Sequence, residues 1–362
     1  MCCAVTFDRQ ASEFPDRVLL AYGHEEHTTA VHLRRALDDL CEVHAIGPGN
    51  GRPDKWVDSD LPLVWVESGV LWYPEALLLR ERRSVAWLID THIRLYWRAF
   101  LGTAFDHAFF AQRRAVTTAK RLGGDASWLP LAAPGYLLTP LASFSRRRFD
   151  VAFVGSVHPG SFRAKVVEHL RTRFRMAPYN GYQVPAEMMN TYSTARVVVN
   201  IPVRDDLNMR AFEGPAAGAF LVTPPLDGLK EIFPAEYFGI VSGHSPSDFG
   251  DAIERALDLN DLPARARAAC SIVRERHTYR QRAEGILQML SEPTARTLHE
   301  SSRARALALA HARAGQRDEI QRLDTLSKFE RGLWSTGAGA VGRVRVRTGH
   351  ATYRLGNKHG SP

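Results

Sequence analysis

The sequence predicts an α/β protein built from two doubly wound, Rossmann-like parallel sheets that face a central cleft. Three observations carry this reading. Short apolar strands alternate with helices along most of the chain. Each of two such series opens with an apolar strand that ends at a glycine, Gly23 in the first and Gly155 in the second. Between them lies Gly135 to Arg148, a stretch of Pro, Ser and Arg with no periodicity. Continuous apolar strands joined by helices imply sheets covered on both faces. A chain of 362 residues is long for one core and sufficient for two.

Taken in order, Arg17 to Tyr22 reads as a first strand, and His24 to Leu40 has helical spacing through Val31, Leu33, Leu37 and Leu40. Cys41 to Ile46 is the next strand, closed by the Gly, Pro and Asn cluster Gly47 to Pro53, which completes a βαβ unit. The pattern recurs with a strand at Leu63–Glu67, a helix around Tyr73–Arg82 and a strand at Ser84–Ile89. It continues through Ala108–Ala111, a helix at Arg114–Leu122 and a strand at Ser127–Leu131. In the second half, strands are expected at Asp150–Ser156, Ala195–Asn200 and Phe220–Thr223. Helices are expected at Ser161–Arg173, Met209–Ala217, Ser247–Leu257, Ala264–Arg276 and Tyr279–Leu290. The domain plan is 1–140, 149–294, a helical extension at 295–330 rich in Ala, Leu and Arg, and a basic tail at 331–362.

Composition is that of an ordinary globular chain, 45% hydrophobic and 24% charged. No apolar run approaches the roughly 18 residues of a membrane-spanning helix. The start, MCCAVTFDRQASEF, has no basic region leading into an apolar stretch, so no secretory signal is expected. Cys2, Cys3, Cys41 and Cys270 are scattered, with no zinc spacing, which points to a reducing, cytoplasmic setting. Lipidation of the Cys2–Cys3 pair is a weak signal. The net charge of +8 belongs to the C-terminal end. Residues 331–362 hold six Lys/Arg and no Asp/Glu, 295–330 hold seven basic and five acidic residues, and 1–294 hold 34 of each sign.

Open parallel sheets bind ligands beyond the carboxyl ends of their strands. Polar residues just after the strands are therefore the candidates. In the first half these are His24, His27 and Asp90, each able to act as a general base, with Glu67, His92 and Gln112 at the same edge. In the second half Gly155 and Ser156, with Gly160 before a helix, offer backbone N–H groups to a phosphate. The same residues also read as a strand-ending glycine and a helix cap. Arg210 and Glu213 share one face near a helix start, followed by Gly214, Ala216, Ala217 and Gly218, which permit close approach. There Arg210 meets a phosphate and Glu213 accepts two hydrogen bonds from a ribose diol. The alternative is a surface ion pair three residues apart. No third ligand accompanies the His24/His27 or Asp90/His92 spacings, so no metal site is expected.

Several of these segments occur in an order that resembles a known family. They are Asp150–Ser156, Tyr192–Asn200, Arg210–Glu213, Ala217–Thr223, Glu231–Phe233 and His277–Arg282, with Val85–His92, Phe105–Asp106, Phe110–Gln112 and Trp128–Ala132 in the first half. Together they resemble the CgeB-like, spore-maturation, group 1-like glycosyltransferases over roughly Arg17 to Leu290. The resemblance implies a GT-B fold, a nucleotide-sugar donor in the C-terminal domain and no metal or other cofactor. The resemblance places Glu213 at the second glutamate of the retaining enzymes' E-x7-E motif, whose expected role is holding the donor's ribose; eight residues earlier stands Asp205 rather than Glu, and the group itself often lacks that first Glu. Gly155, Ser156, Arg163, Lys165, Arg210 and Gly218 are the expected donor-side residues, the cations neutralising the departing diphosphate. In an inverting reaction Asp90, His24 or His27 takes the acceptor's proton; in a retaining one the leaving phosphate does.

Two other readings stand beside a glycosyltransferase: a sugar-nucleotide epimerase on the same fold, and a catalytically silent sugar- or polymer-binding protein of a surface or spore-coat assembly. A dinucleotide-dependent dehydrogenase is disfavoured, because neither opening turn has the G-x-G-x-x-G pattern. The acceptor is expected to be a cell-envelope glycan or a polyanion. Arg343, Arg345 and Arg347, spaced by two, fall on one face of a strand and suit a polyanionic acceptor or peripheral membrane contact.

Overall fold

A computed structural model describes residues 14–23, 28–47, 56, 59–67, 72–79, 82–92, 95–178, 183–293, 305–318 and 321. The first sheet has six parallel strands: β1 (Arg17–Ala21), β2 (Glu42–Ile46), β3 (Leu63–Val66), β4 (Ser84–Leu88), β5 (His107–Phe110) and β6 (Ala126–Trp128), in the order β2-β1-β3-β4-β5-β6. β3, β4 and β5 are buried along their whole length. That is why, after Ser84 and His107 at the starts of β4 and β5, their sequences run apolar rather than alternating. The interleaved helices are α1 (Thr29–Asp38), α2 (Glu75–Leu78), α3 (Leu95–Gly102) and α4 (Arg113–Arg121).

The second sheet is β7 (Phe149–Ala152), β8 (Ala195–Val199), β9 (Phe220–Thr223) and β10 (Phe238–Ile240), ordered β10-β9-β8-β7 and all parallel. On the far side of β7, Val151 bridges in parallel to Met176, with the Ala177 N–H donating to Val151 O at 2.8 Å. The chain therefore leaves β7 toward one side and later continues through β8 on the other. This is a topological switch point, and it opens between the carboxyl ends of β7 and β8. The helices of this half are α5 (Phe162–Arg173), α6 (Pro185–Ser193), α7 (Arg210–Ala216), α8 (Leu229–Ile232), α9 (Pro246–Leu257) and α10 (Leu262–Arg276). Their starts carry local signals. Ser161 caps α5 by accepting the Ala164 N–H at 3.1 Å, and Ser245 with Asp248 forms a capping box on α9.

One apolar core runs beneath the first sheet and on across the junction to Ala152, Val198, Leu221 and Phe212 of the second half. A separate cluster, with Phe153, Val166, Val197, Phe220 and Phe249, fills the outer face of the second sheet. The segment joining the halves has two short 3-10 turns, Gly135–Leu137 and Phe144–Arg146. Three arginines from elsewhere in sequence or space hold it through its carbonyls or its ends. Arg282 donates to Pro130 O (2.7 Å) and Leu131 O (3.0 Å), and Arg274 to Thr139 O (2.7 Å). Arg147, at the end of the segment, donates to Ala195 O (2.6 Å) and Ala217 O (2.9 Å). The next helix, α11 (Tyr279–Ser291), returns to the first half and packs on α1, its Thr278 cap bridging to Ala133.

Sequence and structure differ in places. The helix expected at Tyr73–Arg82 is the short α2, opened at Pro74. The strand expected to reach Leu131 ends at Trp128, because Trp128 is followed by Leu129 and Pro130, whose ring nitrogen cannot donate to a ladder. α3, α6, α8 and β10 match no element expected from the sequence. Within the helical extension, 305–318 is helical, and the basic tail lies outside the described residues. Among the described residues no helix is long and apolar enough to cross a membrane.

Candidate donor and acceptor site

The switch point gathers several of the residues singled out in sequence. Asn200, fully buried at the end of β8, is the hub. Its Nδ2 donates to Thr223 Oγ1 (3.2 Å), and its Oδ1 accepts from Arg210 Nη1 (2.9 Å) and Asn208 Nδ2 (3.1 Å). Arg210 also donates through Nε and Nη2 to Val154 O (3.0 and 2.6 Å) and lies over the Phe153 ring at 4.6 Å. Arg163 approaches the same ring at 5.7 Å and donates to Ile201 O (2.6 and 3.0 Å) and Ser156 O (2.8 Å). The two guanidinium groups thus tie the loop after β7 to the loop after β8 and place two positive charges near the Phe153 ring. Gly155, half-buried, is where Arg210 crosses the backbone, and Ser156 follows it, exposed. Lys165 is exposed on α5.

Glu213 sits on α7 and is only 3% exposed, and its Oε1 is buried with no hydrogen-bond partner. Burial pushes its carboxyl up to about 7, and the nearby Arg210 charge pulls the other way. A surface pair was the alternative expected for Arg210 and Glu213; both are buried, and the guanidinium is turned to Val154 and Asn200. Gly218 is not brought to this cluster. It lies at the far end of α7 in the left-handed region (φ 78°), packed on Arg147 and Leu141 of the joining segment.

Facing the switch point is the carboxyl edge of the first sheet. Glu67, after β3, accepts the N–H groups of Ile89 (2.8 Å) and Asp90 (2.9 Å) and makes a buried ion pair with Arg98. This fixes the turn that carries Asp90, Thr91 and His92. Thr91 Oγ1 donates to Gln112 Oε1 (2.7 Å), and Gln112 Nε2 donates to Ile89 O (2.8 Å) and across the cleft to Asp206 Oδ1 (2.9 Å). His92 Nδ1 lies 3.9 Å from Asp206 Oδ1, and Arg204 Nη1 donates to His92 O at 2.7 Å. Burial lowers the His92 pKa and raises that of Asp206, the Asp90 charge adding to the latter. Asp90 is half-buried beside this group, whereas His24 and His27 lie outside the described residues.

Beside this network a cavity of about 640 Å³ opens between the halves, lined from the first sheet by His92, Trp97 and Arg114 and from the second by Asp205, Leu207 and Asp227. Asp205 therefore faces the cavity while Glu213 stays beneath it. Sequence reasoning missed Asp206 and the Gln112 bridge. Gln112 was visible as a polar residue after β5, but nothing in sequence paired it with a loop 94 residues away. Among the described residues no group of three or more His, Cys, Asp or Glu is placed to hold a metal ion.

Comparison with known proteins follows this geometry. The family model described as glycosyl transferase-like matches residues 137–288. No curated protein matches the chain. Among solved structures, a trehalose-6-phosphate synthase studied with bisubstrate glycomimetics is similar at TM-score 0.58 and 12% identity, covering 77% of this chain and 100% of that one. An α,α-trehalose 6-phosphate synthase from Burkholderia multivorans aligns at TM-score 0.55 and 14% identity, covering 76% and 98%. An α-glucosyltransferase in complex with UDP aligns at TM-score 0.54 and 10% identity, covering 76% and 100%. At these identities the likeness establishes the fold, GT-B, with two Rossmann-like halves.

Proposed function

We propose that this chain, a glycosyltransferase of the GT-B fold, moves a sugar from a nucleotide-sugar donor to an acceptor hydroxyl without a metal. One observation carries the donor assignment: the buried, unpartnered Oε1 of Glu213 beside Arg210 at the β7/β8 switch point. A buried carboxylate oxygen without a donor is costly, and a ribose diol supplies two donors. The likeness in fold to an α-glucosyltransferase in complex with UDP supports a nucleotide-sugar donor. In this reading residues 149–294 form the donor domain and 1–140 the acceptor side, and the finer relationship is to the CgeB-like group.

Breaking the glycosyl–phosphate bond leaves negative charge on the diphosphate. Arg163 and Arg210, both close to the Phe153 ring, place positive charge there without reorganising. The Gly155–Ser156 backbone stands beside them at the same switch point. Asp90 takes the acceptor proton if the reaction inverts. A thermal-shift panel of UDP-, GDP-, dTDP- and CDP-sugars tests the assignment. A ligand at about a hundred times its dissociation constant adds about 2.7 kcal/mol of stability. Glu213→Ala is expected to lose that shift while folding normally; an unchanged shift overturns the assignment.

A further inference from the structure

The family match ends at residue 288, yet the 305–318 helix, well beyond it, reaches the cavity between the halves. Its seat on the first half is built in detail. Arg305 donates to Asp106 Oδ1 at 2.7 Å, both side chains being buried. His311 stacks on Phe100 at 4.6 Å and 16°, and Arg313 pairs with Glu75. Gly315 lies against Trp97 so closely that a Cβ there would collide with the indole. This contact sets Asp318, one turn further on, at the cavity wall.

Resting on the donor reading above, we infer that this cavity takes a neutral saccharide as the acceptor and that the 305–318 helix forms one wall of its subsite. The charge balance favours a neutral ligand over a polyanion. Arg113, Arg114 and Arg204 are matched by Asp205, Asp227 and Asp318, and Arg113 is already paired with Glu231. An anionic chain would meet as many carboxylates as guanidinium groups. A sugar, by contrast, donates hydroxyls to carboxylates and accepts from guanidinium groups at once. Tyr96, 72% exposed at the rim, offers the flat apolar face that the C–H side of a sugar ring covers, and Trp97 also lines the cavity. At about 640 Å³ the cavity is in the roughly 300–1,000 Å³ range of small-molecule sites. His92 lines it with a side chain only 10% exposed and an Nδ1 that has no hydrogen-bond partner. A hydroxyl entering the cavity supplies that partner.

The test uses the full chain and two variants at exposed positions, Tyr96→Ala and Asp318→Asn. Glucose, galactose, mannose, maltose and cellobiose are titrated against glucuronate and glucose phosphates, read by calorimetry and by tryptophan fluorescence, with Trp97→Phe identifying the reporting indole. At least one neutral sugar is expected to bind. Each variant should weaken it about tenfold, the scale of one lost hydrogen bond to a charged group for Asp318 and of one lost aromatic contact for Tyr96, with nucleotide-sugar thermal shifts unchanged. Binding only of the charged sugars, no sugar binding, or equal binding by parent and variants overturns the inference. Neutral-sugar binding lost in the variants but present in a parent that gives no nucleotide-sugar shift upholds the subsite and overturns the donor reading instead.

Discussion

The guanidinium group of Arg210 occupies the space that a side chain on Gly155 would need. From that position it reaches Val154 O and Asn200 Oδ1, so the loop after β7 and the loop after β8 are set by one side chain crossing one glycine. Gly155→Ala is expected to push Arg210 out of these bonds. Overpacking of this kind costs about 1–3 kcal/mol. Urea unfolding should show that loss, and calorimetry should show a parallel loss of nucleotide-sugar affinity. Unchanged donor affinity would separate Arg210 from the donor site.

Glu213 makes donor binding depend on pH. Burial raises its carboxyl from 4.5 to about 7, so below pH 7 it is mostly protonated and offers a diol a poorer acceptor. Nucleotide-sugar affinity is therefore expected to rise between pH 6 and 8, and to be flat over that window in Glu213→Gln. The sign for stability is opposite. The folded state holds this proton more tightly than the unfolded chain, so stability is lost as pH rises from 4.5 through 7, by at most about 3 kcal/mol. Glu213→Gln should then be the more stable protein at pH 8, as read from denaturant midpoints.

Arg282 is buried, and burial lowers its pKa only to about 10, so it stays charged at neutral pH. It accounts for bonds to Pro130 O and Leu131 O and for a contact of 2.9 Å with His277 Nδ1, an imidazole held neutral at about 3 by burial and by the Arg282 charge. Arg282→Met leaves those carbonyls without donors. A loss of about 3 kcal/mol or more is expected in chemical denaturation.

Turnover is expected to survive EDTA, since Arg163 and Arg210 carry the charge stabilisation assigned above. Complete loss in chelator, restored by Mg²⁺ or Mn²⁺, would transfer that role to a metal.

Truncation after Glu330 is expected to leave donor hydrolysis unchanged and to weaken binding to anionic vesicles. Arg343, Arg345 and Arg347 supply the attraction, most visibly below about 0.1 M salt. Equal binding by both proteins across a salt series would remove the tail from any membrane role.

The strands were legible because burial on both faces writes itself as unbroken apolar runs such as Val64-Trp65-Val66 and Val197-Val198-Val199. Helices α5 and α9 fall within a residue of the expected spans, and the structure adds the Ser161 and Ser245 caps that start them. α6 was missed because Pro185 to Ser193 mixes Met, Asn, Thr and Tyr with no clear apolar face. The site was legible only up to pairing. Arg210, Glu213 and Asp90 stood out as polar residues at strand or helix ends, but their partners Asn200, Val154 O and Glu67 are fixed by tertiary packing. The Gln112–Asp206 bond joins two halves whose approach no local pattern encodes.

The arginines that hold the joining segment grip it through Pro130, Leu131 and Thr139, and in each case through a carbonyl oxygen. Every amino acid carries that oxygen. The side chains of these three positions can therefore drift over evolutionary time without losing the bonds that fix the cleft, while Arg274 and Arg282 cannot. A connector of this kind is expected to look unconserved among related sequences and yet to be mechanically stiff, its constraint written more than a hundred residues away.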